Sequence, residues 1–501
     1  MASDAVLATP APQLRLHPWS WLFVLLAQLR SVALPLLALL LFGRGDGWQQ
    51  WELLGALAGG ALALASVVQY FSYRYGVIGS DLVIRAGILN RNTRTIPLAR
   101  IRNVSLHRNV LHRLFGVAEV RLESAGGTTA EAHMRVLSLP AAAALERLVQ
   151  VGHGQGAADA DAAPAAADLL LALPTGELVR LGVISNRGIV VVGAALAALS
   201  QTLPGDPERW IRPLGRGLFG QANMLQMGWL GTALAALALL LAALLVLRLL
   251  SVALAIVQFH GFTLRERDGT LGVESGLLTR VRAHAPVRKI QFWTVSETVL
   301  HRLFRRRSLE VETAVLSTEG NQAGRGIQQL APVATPATVT ALVQRLLPQA
   351  RYPEFDWQPL HPRAWRRLCF WPLLLTLLAS AGLTLRFGAA GLLPLLLLPW
   401  WVLRARRLAA HTGWALNGAV VAYRSGWLSS QVSFAELAKL QGVQLLRSPL
   451  DRRAGMATVA VDTAGATALG HRIHIRFLPE AEARWLAGRL GRHIARNPLA
   501  W

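Results

Sequence analysis

The sequence predicts an α+β membrane protein in which three helical hairpins, six transmembrane helices in all, alternate with three copies of one small β-barrel or curled-sheet domain, each closed by a C-terminal helix. Three observations predict it. Apolar residues make up 53% of the 501 residues and the mean hydropathy is +0.38, more than a soluble chain of this length carries. Six stretches meet or approach the roughly 20 apolar residues that a bilayer crossing needs. The chain also matches itself at offsets of 189 and 339 residues, far longer than a solenoid period.

The apolar stretches are 19–42, 51–70, 187–203, 229–257, 368–385 and 389–403, and they fall into pairs. The expected division is hairpins at 15–70, 181–258 and 360–408, with domains at 71–150, 259–348 and 409–497. A linker is expected at 151–180, and its Ala-, Gly- and Asp-rich part, 151–168, is expected to let the first domain swing. Arg30 sits inside the first stretch, so either 19–29 lies along the interface or Arg30 snorkels from a tilted helix. Leu16-His17-Pro18 recurs as Leu360-His361-Pro362, with proline where a helix begins and needs no N–H. The duplication therefore reaches into the hairpins.

Within the repeat, Gly87, Gly276 and Gly426 correspond, as do Ile101, Ile290 and Leu440, then Leu111, Leu300 and Leu450. Leu122, Val311 and Val461 close the series. Runs such as Leu82-Val83-Ile84 and Val120-Arg121-Leu122, punctuated by glycines, predict short antiparallel strands with tight turns. After Leu139-Pro140, Ala331-Pro332 and Leu478-Pro479 each copy changes to an amphipathic helical pattern.

Basic residues exceed acidic ones by 51 to 28, and Lys289 and Lys439 alone are lysines. Such an excess calls for an anionic neighbour, and apolar segments separated by arginines favour a membrane over nucleic acid. Arg74, Arg248, Arg363, Arg366, Arg367, Arg404, Arg406 and Arg407 gather at the open ends of the hairpins. That asymmetry predicts a multi-pass protein of the bacterial cytoplasmic (inner) membrane, with both termini and all three domains in the cytoplasm. Residues 1–14 lack a basic and then apolar leader pattern, so no removable signal peptide is expected. Cys369 is the single cysteine and excludes an intramolecular disulfide or a thiolate cluster.

The run from Gly87 through Ile96-Pro97 and Arg100-Ile101 to Leu111-His112-Arg113-Leu114-Phe115-Gly116 returns at Pro286, Lys289-Ile290 and Leu300 to Phe304. These residues resemble the bacterial membrane-flanked pleckstrin-homology-like (PH-like) domains, and the layout resembles the YdbT-type members with three such domains. The third copy departs, with Glu436 in place of Pro97 and Pro286 and Ala454 in place of the aromatic. The resemblance implies a PH-like fold and a smaller single-domain PH-like membrane protein as partner.

Basic residues persist at Arg100, Lys289 and Lys439 and at Arg113, Arg302 and Arg452, with an acid at Glu123, Glu312 and Asp462. One reading pairs acid with base inside each domain. The other has these bases, helped by Arg305, Arg306 and Arg307, hold the phosphates of anionic phospholipid. His471 and His474 lack a completing ligand set, and His112 and His301 give way to Asp451, which suggests a solvated position on a short helix. No nucleophile triad or phosphate loop emerges, so neither catalysis nor a cofactor is expected. The expected function is a non-enzymatic scaffold in envelope maintenance whose domains bind lipid, one another or a partner, with small residues such as Gly59-Gly60 favouring a compact bundle or homo-oligomer. The alternative is a six-helix transporter or exporter component with regulatory domains. Its weakness is the lack of a centred carboxylate or histidine in the spans.

Overall fold

A computed structural model describes residues 14–15, 17–23, 25–26, 60–61, 64, 67–68, 72–78, 81–87, 92–98, 101–108, 110–124, 132–152, 168–202, 228–313, 327–463 and 473–496. The expected first hairpin lies outside the described residues except for short helical pieces.

In the first copy, β1 (Leu14–Arg15) precedes the hairpin and pairs with β2 (Arg74–Ile78), which continues into β3 (Asp81–Ala86) and β4 (Asn92–Pro97). Three strands of a second sheet follow, β5 (Ile101–Arg108), then, after the short helix α1 (Val110–Leu114), β6 (Val117–Ser124) and β7 (Ala132–Ser138). The helix α2 (Leu139–Gly152) closes the copy. Alternation decides which side chains turn inward: Leu82 and Ile84 from one sheet and Val120 and Leu122 from the other meet Ala142 and Leu145 of the helix.

The second copy repeats this order. It runs β8 (Asp168–Ala172), α3 (Thr175–Ile184), α4 (Arg187–Thr202), α5 (Gly228–Phe259), β9 (Thr263–Arg267), β10 (Thr270–Ser275), β11 (Arg280–Pro286), β12 (Ile290–Glu297), α6 (Val299–Leu303), β13 (Arg307–Thr313), β14 (Gln329–Ala334) and α7 (Pro336–Leu346). The third has β15 (Gln358–Pro359), α8 (Ala364–Phe387), a 3-10 segment at Gly388–Leu397, α9 (Leu398–His411), β16 (Gly413–Leu416), β17 (Val420–Ser425), β18 (Ser430–Glu436), β19 (Leu440–Leu446), α10 (Pro449–Arg453), β20 (Met456–Thr463), β21 (Ile473–Pro479) and α11 (Glu480–Arg496).

The barrels expected from the sequence are not seen, because among the described residues no sheet closes on itself. The strand that a closed domain would turn back on itself is instead given to the neighbouring copy. Thus β5 pairs with β11 of the second copy, and β12 pairs with β18 of the third. Two seven-stranded sheets result, in the orders β7-β6-β5-β11-β10-β9-β8 and β14-β13-β12-β18-β17-β16-β15, flanked by a four-stranded sheet ending at β4 and a three-stranded one beginning at β19. The core follows the sheets: Trp293 and Phe434, from different copies, stack with centroids 6.3 Å apart and planes at 3°.

Of the expected flexible stretch, residues 153–167 lie outside the described residues, and the later part of the expected linker is ordered structure. Residues 168–172 are a strand paired with β9, and Arg345 of α7 holds Asp168 at 2.6 Å and Glu266 at 2.9 Å.

Six spanning helices are not borne out. Among the described residues two stretches are long and apolar enough to cross a membrane, Ala233–Phe259 and Ala364–His411. A third arises if α3 and α4, bent by 56°, count as one span. Alone, the 16 residues of α4 reach only about 24 Å, short of the hydrocarbon core of roughly 30 Å. Arg248 of α5 explains the bend. Its guanidinium donates to the carbonyls of Val183 and Ser185, both at 3.0 Å, and to Asn186 Oδ1 at 3.2 Å, and so satisfies acceptors that the broken helix leaves open. Glycine lets the helices touch, since a Cβ on Gly182 would lie 2.3 Å from Val252 Cα. The stretch 364–411 folds back at Gly388, so that Ser380 donates to the Gly391 carbonyl at 2.7 Å and Trp401 to Thr376 at 3.1 Å.

Candidate functional site

The first and third hairpins meet their own domains in the same way. The Leu-His-Pro segment bonds the last strand of its copy, His17 N to Val136 O at 3.1 Å and His361 N to Phe477 O at 2.9 Å. Just beyond it, the first turn of the hairpin packs on the short helix of that copy. Phe23 lies on His112 with rings 4.2 Å apart, and Arg367 donates to Asp451 at 3.0 Å; in the second copy Glu177 of α3 instead takes a bidentate pair, at 2.8 and 2.9 Å, from Arg306, three residues beyond the short helix.

His112, His301 and Asp451 are therefore buried, not solvated as the sequence suggests. Two of them complete capping boxes, His301 with Thr298 and Asp451 with Ser448. The short-helix position was legible; its burial depends on a hairpin that is distant in sequence. Burial holds the His301 imidazole below the ordinary histidine range, with Glu297 acting the other way.

In the second and third copies the turn after the glycine landmark touches the foot of a hairpin. Gly276 N and Leu277 N donate to the last carbonyls of α5, those of His260 and Val257, each at 2.9 Å. In the third copy Trp427 packs on Trp400 with ring centroids 6.1 Å apart. Here arginines stack over indoles: Arg406 over Trp365 at 4.7 Å, Arg424 over Trp357 at 4.8 Å, Arg404 over Trp401 at 5.8 Å and Arg407 over Trp427 at 6.0 Å. Indole and guanidinium are the side chains that suit the headgroup layer.

Beneath this belt a cavity of about 430 Å³ opens between the foot of the hairpin and the two sheets of the third copy. Leu360, Leu368 and Leu408 line it from the hairpin side, with Phe292, Ile473 and Phe477 opposite. Its polar side holds Tyr423, Gln431, Ser433, His474 and the exposed Arg476. Burial raises the Tyr423 pKa, opposed by Arg476, whose charge and backbone N–H both favour the phenolate, and the phenol stays protonated at neutral pH. An apolar wall facing hydroxyl donors and one cation matches an amphiphile with an anionic head. The sequence reading missed these residues; the Trp357, Trp365, Trp400 and Trp427 series was the available signal.

The bases singled out from the sequence do not converge on one patch. Arg100 lies outside the described residues. Arg113 donates to the Leu277 carbonyl of the next copy at 3.2 Å, and Lys439 reaches back to the Ile290 carbonyl at 2.7 Å while also pairing with Glu436, so both join copies. Glu436 also accepts from Gln349 at 3.1 Å, which gives the departure of the third copy a structural use. Arg302 and Arg307 share Glu297 at 3.2 and 2.7 Å, and Arg306 is committed to Glu177. Lys289 is half-buried; Arg305, at φ 51°, and Arg452 are exposed. Among the described residues no cluster of three metal-ligating side chains exists.

Apolar hairpins carrying strand-linked copies of a two-sheet, one-helix domain define a membrane-associated β-domain array. The chain belongs to the bacterial PH domain family, which matches it three times, at residues 22–151, 222–346 and 373–494. It is 20% identical over 448 residues to the UPF0699 transmembrane protein YdbT of Bacillus subtilis (strain 168), covering 86% of this chain and 88% of that protein. No solved structure matches the chain.

Proposed function

We propose that this protein is a non-enzymatic scaffold of the bacterial cytoplasmic membrane, its hairpins holding a linked array of PH-like domains against the cytoplasmic face, where it binds anionic phospholipid. One observation carries the reading: at the foot of the third hairpin, where arginines stack over tryptophans, a cavity lined by the chain neighbours Leu408, Tyr423 and Gly426 of that belt is apolar on the hairpin side and carries Arg476 on the other. A net charge of +23 supports an anionic surface as the neighbour. Strand pairing between copies supports a scaffold over a set of swinging modules, since it fixes the spacing of adjacent domains. A smaller PH-like membrane protein is a partner of fitting chemistry for such an array.

The test is native mass spectrometry of the full chain released from detergent after titration with phosphatidylglycerol or phosphatidylcholine. Retention of the anionic lipid over the zwitterionic one, reduced in Arg476→Gln and in Arg404→Gln/Arg407→Gln, is the expected result. Equal retention of both lipids by the unaltered protein would overturn the lipid reading.

A further inference from the structure

The two junctions between copies use the same strands in the same register. Arg108 faces Arg280, His107 faces Val281 and Leu106 faces Arg282 at the first; Glu297 faces Ser430, Ser296 faces Gln431 and Val295 faces Val432 at the second. Under the repeat alignment, Arg108 corresponds to Glu297 and Arg280 to Ser430, so the second junction repeats the first residue for residue. An interface built twice to one register is a property of the repeat unit.

An array of this kind has two unlike ends. The donor edge of the third copy is β19, where its sheet stops, and the acceptor edge of the first copy is β4, where the other small sheet stops. Both are exposed where their counterparts are covered. Val295, within a junction, is 3% exposed, whereas its equivalent Leu445 is 37% exposed and the adjacent Leu446 is 46% exposed. Residues Asn92 to Arg94 of β4 are exposed as well. Open backbone donors and acceptors beside exposed leucines are a feature that natural edge strands avoid unless something covers them.

We propose that β19 of one chain pairs with β4 of a second copy of the same chain, so that the protein assembles head to tail through a third instance of its own internal junction. The occupant follows from complementarity: the structure offers one donor edge and one acceptor edge, and each already accepts the other kind inside the chain. The shared register places Leu445 opposite Thr93 and Gln444 opposite Arg94 of the neighbour. Such contacts are heterologous, so copies close into a ring or extend along the membrane plane. The inference does not depend on which lipid is bound.

Two differently tagged full-length chains, one carrying Thr93→Cys and the other Leu445→Cys, are co-expressed and treated in native membranes with a short thiol crosslinker. Cys369, buried, is replaced by serine in both. Val295→Cys/Val432→Cys in a single chain serves as the positive control for the internal junction. The expected product is a crosslinked species carrying both tags that requires both cysteines, and it is lost when Arg94→Pro is added to β4. Three results would overturn the proposal: a crosslink confined to one chain in Thr93→Cys/Leu445→Cys, a crosslink from Leu445→Cys to a different polypeptide, or no crosslink while the internal control reacts fully.

Discussion

Arg367 and Asp451, 3.0 Å apart at the foot of the third hairpin, occupy the places that Phe23 and His112 hold in the first. Aligning the two Leu-His-Pro segments puts Arg367 on Phe23, and aligning the short helices puts Asp451 on His112. The contact has thus been kept while its chemistry changed from stacked rings to an ion pair, with both partners changed together. Removing one partner strands the other in a site that leaves Asp451 only 10% exposed. Arg367→Ala is expected to cost about 3 kcal/mol. The exchange Arg367→Phe/Asp451→His should recover most of that loss, and a double-mutant cycle on thermal unfolding in detergent measures the coupling.

Arg248 gives a second prediction, because it donates to the carbonyls left open at the break between α3 and α4. Arg248→Leu suits an apolar helix by composition, yet it leaves the Val183 and Ser185 carbonyls without their donor. A loss of about 2 to 4 kcal/mol is expected, with new protease cleavage near residues 184–187. Arg248→Lys keeps the charge but not the fork, and should lie between the two.

The triplication, the strands and the closing helices were legible because they rest on local pattern: alternation in Val120-Arg121-Leu122, glycines at fixed offsets, and proline near the start of each last helix, although in the second copy that proline is Pro336, since Pro332 lies within β14. The partner of each edge was not legible. Alternation reports which face of β12 is buried and says nothing of whether β18 or its own domain supplies the neighbouring strand, so open linked sheets replaced the expected barrels. Charge was misread for a similar reason. Arg305, Arg306 and Arg307 look like one basic patch until α3, 129 residues away in sequence, brings Glu177 to Arg306. The Trp357 and Trp365 positions reach the site only once the hairpin has folded back onto the third copy.

His301 carries a pH dependence whose sign follows from its burial. Its folded pKa lies below the unfolded value, so the unfolded chain takes up the proton first. The contribution is complete above the unfolded value of about 6.5 and is lost as pH falls through it toward the folded value. Unfolding midpoints are expected to fall between about pH 7 and about pH 5. Replacing His301 by Gln retains a capping-box side chain without a titrating group and should flatten that part of the profile.

The glycine landmarks give the last prediction, and they separate steric need from mere tolerance. Gly426 has φ 102°, and a Cβ built there would lie 1.7 Å from the Ser429 carbonyl oxygen; Gly276, at φ 115°, would meet Thr279 at 1.9 Å. Gly116 also has positive φ, at 65°, but nothing lies within 4 Å of its Cβ. Alanine at Gly116 pays only the left-handed backbone penalty, about 1 kcal/mol. At Gly426 the turn itself must open, which costs about 3 kcal/mol and carries Trp427 away from Trp400. Gly426→Ala should therefore shift tryptophan emission and lower the unfolding midpoint well beyond Gly116→Ala. Equal effects of the two substitutions would mean that the turn is not held against the foot of the hairpin.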